Sequence, residues 1–386
     1  MLRLLSVLLF TASLSGCGWI GAYFVGTDNL PEPAELTPLT APLAVNPQWR
    51  DTGSSGLRDR FAELRPATQD GRVFIAGQRG DIRALDADNG QLLWQVNTER
   101  SITAGVGLGA DLVLIGTLNG EVIALEPDSG SERWRSRVTS EVLAPPVGTD
   151  EVIIVRSADG VFTALQARDG TRLWGHNTTL PVLTLRGAST PLLAEGLMIA
   201  GLDDGRLLLL DLATGSPIGE RRLAVPSGRT EVERLVDIDA DPQLFGEVLY
   251  AVAYQGALGA LDMNRGELLW SRDFSAHAGL VVDERAVYLP HTDGEVWAVN
   301  RHNGEVLWRQ PALRGRQPTA PASVGDHLVI GDFAGYVHWL TKRDGEIVAR
   351  SRTDSAGLIG TPAVVGNRVL MLGRSGQLDA LALGGD

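Results

Sequence analysis

The chain has 386 residues, of which 44% are hydrophobic, and this length exceeds what a single hydrophobic core usually supports. Its 34 lysines and arginines stand against 47 aspartates and glutamates, so the formal charge of −13 repels phosphates and argues against nucleic acid as a partner. The 46 glycines, against 8 phenylalanines and 5 tyrosines, favour many short strands joined by tight turns and indicate an all-β protein.

The N-terminus carries a compartment signal. Arg3 is the only charge before an apolar run over residues 4–10, and small residues follow, as in a secretory signal peptide. The sequence Leu-Ser-Gly-Cys at residues 14–17 resembles the lipobox of bacterial lipoproteins. That resemblance implies a signal peptide over residues 1–16 and acylation of Cys17, the only cysteine. The apolar run is too short to span a bilayer, which takes roughly 20 residues, so acyl chains would supply the anchor.

Residues 17–46 are predicted to form a lipidated, extended tether. Four prolines fall in this stretch, and it shows little hydrophobic periodicity. Gly18 follows the cysteine where an aspartate would retain a lipoprotein in the inner membrane. By resemblance to enterobacterial sorting rules, we expect the protein on the periplasmic face of the outer membrane. The alternative for Cys17 is a free or buried thiol, and a single cysteine excludes an intrachain disulfide.

A repeat follows the tether. The frame Ala-Leu-Asp-Ala-Asp-Asn-Gly-Gln-Leu-Leu-Trp at residues 84–94 recurs at 124–134 and 164–174, a spacing of 40 residues. It returns at 260–270 and 298–308, and two degenerate copies carry Gly219 and Ala349 in place of the tryptophan. Upstream of each copy lie two short apolar runs joined by a tight turn, and a further run, such as residues 142–147, precedes them. Four strands in about 40 residues is the size of one propeller blade.

The number of blades follows from the end of the chain. Seven turns are marked by Gly90, Gly130, Gly170, Gly215, Gly266, Gly304 and Gly345. Three more strands follow, the last over residues 377–383, and the strand around Trp49 supplies the missing fourth. Residues 47–386 are therefore predicted to form an all-β, eight-bladed β-propeller with four antiparallel strands per blade, closed by the N-terminal strand joining the C-terminal blade. Each tryptophan would pack against the neighbouring blade, and the turn glycine allows positive φ.

The spacing of the repeat widens around the fourth blade. The turn glycines there are 45 and then 51 residues apart, against 40 in the regular copies. The extra residues fall over 183–191 and 228–242, each between an outermost strand and the next innermost strand. Because the two insertions occupy the same place in consecutive blades, they should be neighbours in space. Extra loops on one rim of a repeat protein often form its binding surface.

The repeat also resembles that of quinone-dependent (PQQ) alcohol dehydrogenases, which would imply a periplasmic quinoprotein dehydrogenase with calcium. The adjacent cysteine pair common in those enzymes is missing here, because the only cysteine lies in the lipobox. Asp203 and Asp204 are explained as turn residues before a glycine, and the six histidines show no zinc-ligand spacing. We therefore expect no catalytic residues, no metal and no cofactor.

Two sequence patterns in the insertions carry a more specific resemblance. Leu-x-Leu-Arg-Gly-x-Ser begins at Leu183, and Arg-Leu-x-Asp-x-Asp ends at Asp239. Together with the lipobox and the eight repeats, they resemble the BamB family of the outer-membrane β-barrel assembly (BAM) machinery. The resemblance implies a non-enzymatic scaffold that binds the periplasmic domains of BamA, and through it the rest of the BAM complex. The matching residues are Leu183, Leu185, Arg186, Asp237 and Asp239.

Two further roles remain open from the sequence. A propeller of this kind could hold nascent outer-membrane proteins by pairing its exposed edges with extended clients. It could also bind polymers of the cell envelope.

Overall fold

The computed structural model describes residues 32–40, 43–57 and 62–384. Within them the chain forms eight sheets, each built on four antiparallel strands. Seven use consecutive strands, and the eighth is completed by the N-terminal strand. Innermost strands of most neighbouring sheets contact each other, and those of the last sheet contact those of the first. The predicted eight-bladed β-propeller is therefore confirmed.

Strands β1 (Val45–Asp51) and β2 (Glu63–Leu64) precede the first blade. Blades 1 to 4 comprise, each from the innermost to the outermost strand, β3 (Ala67–Gln69), β4 (Arg72–Ala76), β5 (Asp81–Asp86), β6 (Leu92–Asn97); β7 (Ile102–Gly109), β8 (Leu112–Thr117), β9 (Glu121–Leu125), β10 (Glu132–Arg137); β11 (Val147–Gly148), β12 (Val152–Arg156), β13 (Val161–Gln166), β14 (Arg172–Asn177); β15 (Leu192–Ala194), β16 (Leu197–Gly201), β17 (Arg206–Asp211) and β18 (Pro217–Arg222). Blades 5 to 8 comprise β19 (Gln243–Phe245), β20 (Val248–Val252), β21 (Gly256–Asp262), β22 (Glu267–Phe274); β23 (Val281–Val282), β24 (Ala286–Pro290), β25 (Val296–Asn300), β26 (Val306–Gln310); β27 (Ala322–Val324), β28 (His327–Gly331), β29 (Tyr336–Thr341), β30 (Ile347–Arg352); β31 (Leu358–Val365), β32 (Arg368–Gly373) and β33 (Leu378–Leu383), with β1 as the outermost strand of blade 8. A 3-10 turn over Pro311–Leu313 joins blades 6 and 7.

The ring closes through the N-terminal strand, as predicted. Strand β1 pairs antiparallel with β33, and Trp49 lies opposite Ala380 in that ladder. The indole Nε1 of Trp49 donates a hydrogen bond to the carbonyl oxygen of Ala87 in blade 1, at 3.1 Å. One tryptophan therefore belongs to the last blade and packs on the first.

The frame tryptophans and turn glycines form one repeated contact between blades. Gly90 has a φ of +71°, and a Cβ there would lie 2.6 Å from the ring of Trp49, so only glycine fits. The same close approach joins Trp94, Trp134, Trp174, Trp270 and Trp308 to Gly130, Gly170, Gly215, Gly304 and Gly345. Where blade 4 lacks its tryptophan, Arg221 takes over and donates from Nε to the carbonyl oxygen of Gly266, at 2.7 Å.

The core lies between the faces of adjacent blades. Strand β4 and its partner β5 are buried almost throughout, whereas the outermost strand β6 is mostly exposed. Successive side chains of a strand point to opposite faces, so a continuously apolar middle strand packs against the blade on each side. The buried hydrophobic residues therefore lie mainly in the middle strands, whereas the outermost strand leaves leucines such as Leu92 exposed.

Two local features differ from the strands predicted from the sequence. Residues 142–147 are predicted as the innermost strand of blade 3, but only Val147–Gly148 forms a strand, and Val142 forms an isolated β-bridge. Pro145 and Pro146 have no N–H to donate, and they interrupt the ladder. Strand β2 adds a parallel fifth strand to blade 2 by pairing with β7.

Part of the predicted tether lies along blade 7. The amide of Ala34 donates to the carbonyl oxygen of Arg314 at 2.8 Å, and the guanidinium of Arg350 donates to that of Thr37 at 3.0 Å. The signal peptide and Cys17 lie outside the described residues, so their assignment stays a prediction. No helix in the described ranges is long and apolar enough to cross a membrane.

Candidate partner-binding surface

The two insertions touch each other, as predicted. The first follows β14 and the second follows β18, so both lie on the same rim of the ring. The amide of Leu185 donates to the carboxylate of Asp237 at 2.5 Å, and the amide of Thr190 donates to that of Asp241 at 2.6 Å. These contacts join the insertions that precede blades 4 and 5 into one surface, which we call the insertion surface (residues 180–191 and 225–242).

The first insertion presents both apolar and cationic groups. Leu183 is 41% exposed and Leu185 is half-buried. Arg186 has a φ of +60°, which is uncommon for a residue with a side chain, and its side chain is 46% exposed. Its Nη2 pairs with a carboxylate oxygen of Glu141 at 2.7 Å. Glu141, at the start of blade 3, therefore helps to position the cation.

The two aspartates of the second insertion lie beneath this loop. Asp237 is fully buried, and its carbonyl oxygen accepts the amide of Tyr254 at 2.8 Å. The half-buried Asp239 contacts the backbone of the first insertion so closely that a Cβ on Gly187 would lie 2.4 Å from its carboxyl carbon. Asp237 and Asp239 therefore support the first insertion from its buried side. Asp237 binds the backbone amide of Leu185, and Asp239 packs against Gly187.

A third carboxylate completes a buried acidic cluster. Asp203, in the turn between β16 and β17, approaches Asp237 and Asp239, and it pairs with Arg156 at 2.8 Å. Burial raises the pKa of Asp237 to about 6, against the opposing hydrogen bond from Leu185. Burial, together with repulsion from Asp237 and Asp203, raises the pKa of Asp239 to about 8. The cluster thus concentrates more negative charge than one arginine neutralises.

A cavity of about 640 Å³ opens beside the insertion surface. Residues from the starts of blades 3 to 8 line it, which places it at the axis of the ring. Arg186, Asp239 and the carboxyl of Glu63 face this space. Burial raises the pKa of Glu63 to about 8, with Asp241 adding to the effect and Arg65 opposing it. Because Leu185, Arg186 and Asp239 belong to both, the cavity and the insertion surface form one continuous region.

Three residues of this region are not marked by any sequence pattern as part of it: Glu141, Arg156 and Asp203. Asp203 and Asp204 both lie in the turn before Gly205, as the sequence predicts. Asp204 pairs locally with Arg206 in the next strand at 2.5 Å, whereas Asp203 pairs with Arg156 in the neighbouring blade. The partner of Asp203 lies 47 positions earlier in the sequence. No local pattern marks such a pair, because it depends on how adjacent blades pack.

Comparison of the sequence and structure with known proteins assigns the chain to a family. A family model described as outer membrane protein assembly factor BamB matches residues 78–310 and 300–384. The chain belongs to the BamB family. The family member of Pseudomonas aeruginosa, outer membrane protein assembly factor BamB, is 49% identical over 91% of this chain and 92% of its own length. The crystal structure of BamB from Moraxella catarrhalis superimposes with a TM-score of 0.80, at 30% identity, over 88% of this chain and 100% of that one.

The quinoprotein resemblance extends only to the fold. A europium-containing methanol dehydrogenase superimposes with a TM-score of 0.71, over 88% of this chain and 93% of the enzyme, but only 13% of the residues are identical. BamB proteins and these enzymes therefore share an architecture. A shared architecture alone carries no activity from one family to the other.

Proposed function

We propose that this chain is a non-enzymatic scaffold that supports the assembly of β-barrel proteins into the outer membrane. The named BamB relatives, which match over nearly the whole chain, support this role. We further propose that its partner is BamA, bound through Leu183, Leu185 and Arg186, with Asp237 and Asp239 holding these residues in place. Through BamA the chain would join the rest of the BAM complex.

The observation that carries the proposal is the hydrogen bond between the insertions at Leu185 and Asp237. It fixes a surface that carries both exposed apolar side chains and the cation of Arg186. Val182 is 91% exposed, Val225 is 68% exposed and Val232 is 61% exposed. Neighbouring exposed apolar residues with an arginine among them are typical of protein interfaces, in which a few residues account for most of the binding energy.

Binding of purified protein to the periplasmic domains of BamA tests the assignment. We expect Arg186→Ala to weaken binding by about 2 kcal/mol, which is roughly thirtyfold in Kd. Arg168→Ala is the matched control, since Arg168 is also an exposed arginine paired with an acid but lies on a regular turn of blade 3. Its binding should match the wild type.

The opposing explanation is that Arg186 only forms a surface ion pair with Glu141. Such a pair contributes at most about 1 kcal/mol to stability and nothing to partner binding. A double variant, Leu183→Ala with Arg186→Ala, separates the two explanations once circular dichroism has shown that it folds. Full BamA binding by this variant would remove the insertion surface from the proposal.

We place the protein on the periplasmic face of the outer membrane, attached through acyl chains on Cys17.

We also propose that the chain binds nascent outer-membrane proteins directly. The outermost strands offer edges with exposed leucines, among them Leu92 at 45% and Leu173 at 46%. A photo-reactive residue in place of Leu173 should cross-link to an unfolded β-barrel protein and not to its folded form.

A further inference from the structure

The carboxylates of Asp203, Asp237 and Asp239 converge on one point. One oxygen from each lies within 4.8 Å of the others. Calcium takes oxygen ligands at about 2.3–2.6 Å, so two oxygens on opposite sides of one ion are at most about 5 Å apart. Three carboxylate oxygens at this separation fit around a single ion.

Two of these carboxylates have an oxygen that lacks a partner. Asp237 is fully buried, and its Oδ2 accepts the amide of Leu185, whereas its Oδ1 has no hydrogen-bond partner among the described residues. The Oδ1 atom of Asp239 is also buried and unpaired within the described part of the chain. A buried polar atom without a partner costs free energy, and nearly all such atoms in folded proteins are satisfied. The orphaned oxygens therefore indicate a ligand that supplies positive charge.

The charges of the cluster set the valence of that ligand. When all three carboxylates are ionised, as they are when they bind a metal, they carry three negative charges, and the guanidinium of Arg156, which is 3% exposed, returns one positive charge through Asp203. Two negative charges remain in a region from which water is largely excluded. A divalent cation would neutralise them.

We propose that Asp203, Asp237 and Asp239 bind one divalent cation, and that the ion joins the two insertions. Calcium fits better than magnesium, because magnesium requires shorter distances of about 2.0–2.1 Å and near-octahedral geometry. Asp239 also lines the axial cavity, which gives the ion a path from solvent. Since Asp237 holds Leu185, an ion here would stiffen the surface proposed to bind BamA. The site itself does not depend on that partner.

Cation binding is measured on the isolated protein. After treatment with a chelator, titration calorimetry with CaCl₂ should show a single site with a Kd of about 0.1–1 mM, the range of extracellular calcium modules. About 5 mM CaCl₂ should raise the Tm of the wild type by roughly 2 °C or more. Absence of both effects with Ca²⁺, Mg²⁺ and Mn²⁺ would overturn the proposal, whereas BamA binding could still be intact.

Two variants show whether the effect belongs to this cluster. Asp239→Asn should lose both the heat and the Tm rise, and without metal it should melt no lower than the wild type because a surplus charge has been removed. Asp204→Asn changes the adjacent carboxylate, which pairs with Arg206, and should respond to calcium like the wild type. An undiminished calcium response in Asp239→Asn would place the ion elsewhere and reject the site.

Discussion

The amide of Leu185 donates to the carboxylate of Asp237 across 52 residues of sequence, so a fully buried acid sets the position of a loop at the surface. An aspartate can therefore matter for a partner that it does not touch. A hydrogen bond to a charged group contributes about 1.5–3 kcal/mol, and Asp237 makes this one out of reach of solvent. Holding the loop before the partner arrives also reduces the entropy lost on binding.

We expect Asp237→Ala to weaken BamA binding by about 1–2 kcal/mol through loss of this order. Hydrogen exchange should identify the cause, because the Leu185 amide should exchange at least about tenfold faster in this variant. Arg186→Ala serves as the contrast, since it should reduce affinity without accelerating exchange at Leu185. If Asp237→Ala binds normally while Leu185 exchanges rapidly, the loop need not be held in advance.

The sequence predicted the fold more completely than the surface, for a physical reason. The contact of Trp94 with Gly130 recurs at a fixed spacing, so its members can be identified from the repeat alone. The ion pair of Arg186 with Glu141 joins an insertion to the neighbouring blade, and neither residue belongs to the repeated frame. The two insertions could be recognised in the sequence, because they lengthen the spacing between successive turn glycines. Which of their side chains would be buried depends on the packing of one loop beneath the other.

Closure of the ring depends on Trp49. Its indole is 9% exposed and packs on Gly90 of blade 1, so truncation would leave a cavity at the joint between the last and first blades. We expect Trp49→Ala to lower the free energy of unfolding by about 3–5 kcal/mol. Gln48→Ala, next to it on the exposed side of β1, should change stability by less than about 0.5 kcal/mol. Equal denaturant midpoints for the two variants would show that this joint does not limit stability.

The membrane attachment predicted from the sequence rests on one thiol. Cys17→Ser should leave a folded protein that fractionates with the soluble periplasmic contents, because lipid is the only anchor that the sequence offers. Fractionation should be repeated in cells depleted of BamA, since binding to a membrane protein could retain the variant. Membrane retention of Cys17→Ser without BamA would contradict the lipobox assignment. A change in its circular dichroism spectrum would point to a structural role for the thiol instead.

The carboxyl of Glu63 predicts how stability changes with pH. Its pKa is about 8 in the folded protein, mainly through burial, against an ordinary value of 4.5. Between these pH values the folded state holds a proton that the unfolded state has released. The contribution of Glu63 to stability is therefore complete at low pH and is lost as pH rises towards and through 8.

Glu63→Gln cannot ionise. At about pH 8.5 it should be more stable than the wild type by on the order of 2 kcal/mol, after allowance for water in the cavity, and it should melt a few degrees higher. At about pH 4 the two proteins should melt nearly together, because the wild-type carboxyl is then largely neutral in the unfolded state as well as in the folded state. Both proteins should be melted in the presence of a chelator, so that the proposed cation site does not affect the comparison. If the wild type matches Glu63→Gln at both pH values, Glu63 ionises without penalty in the folded protein.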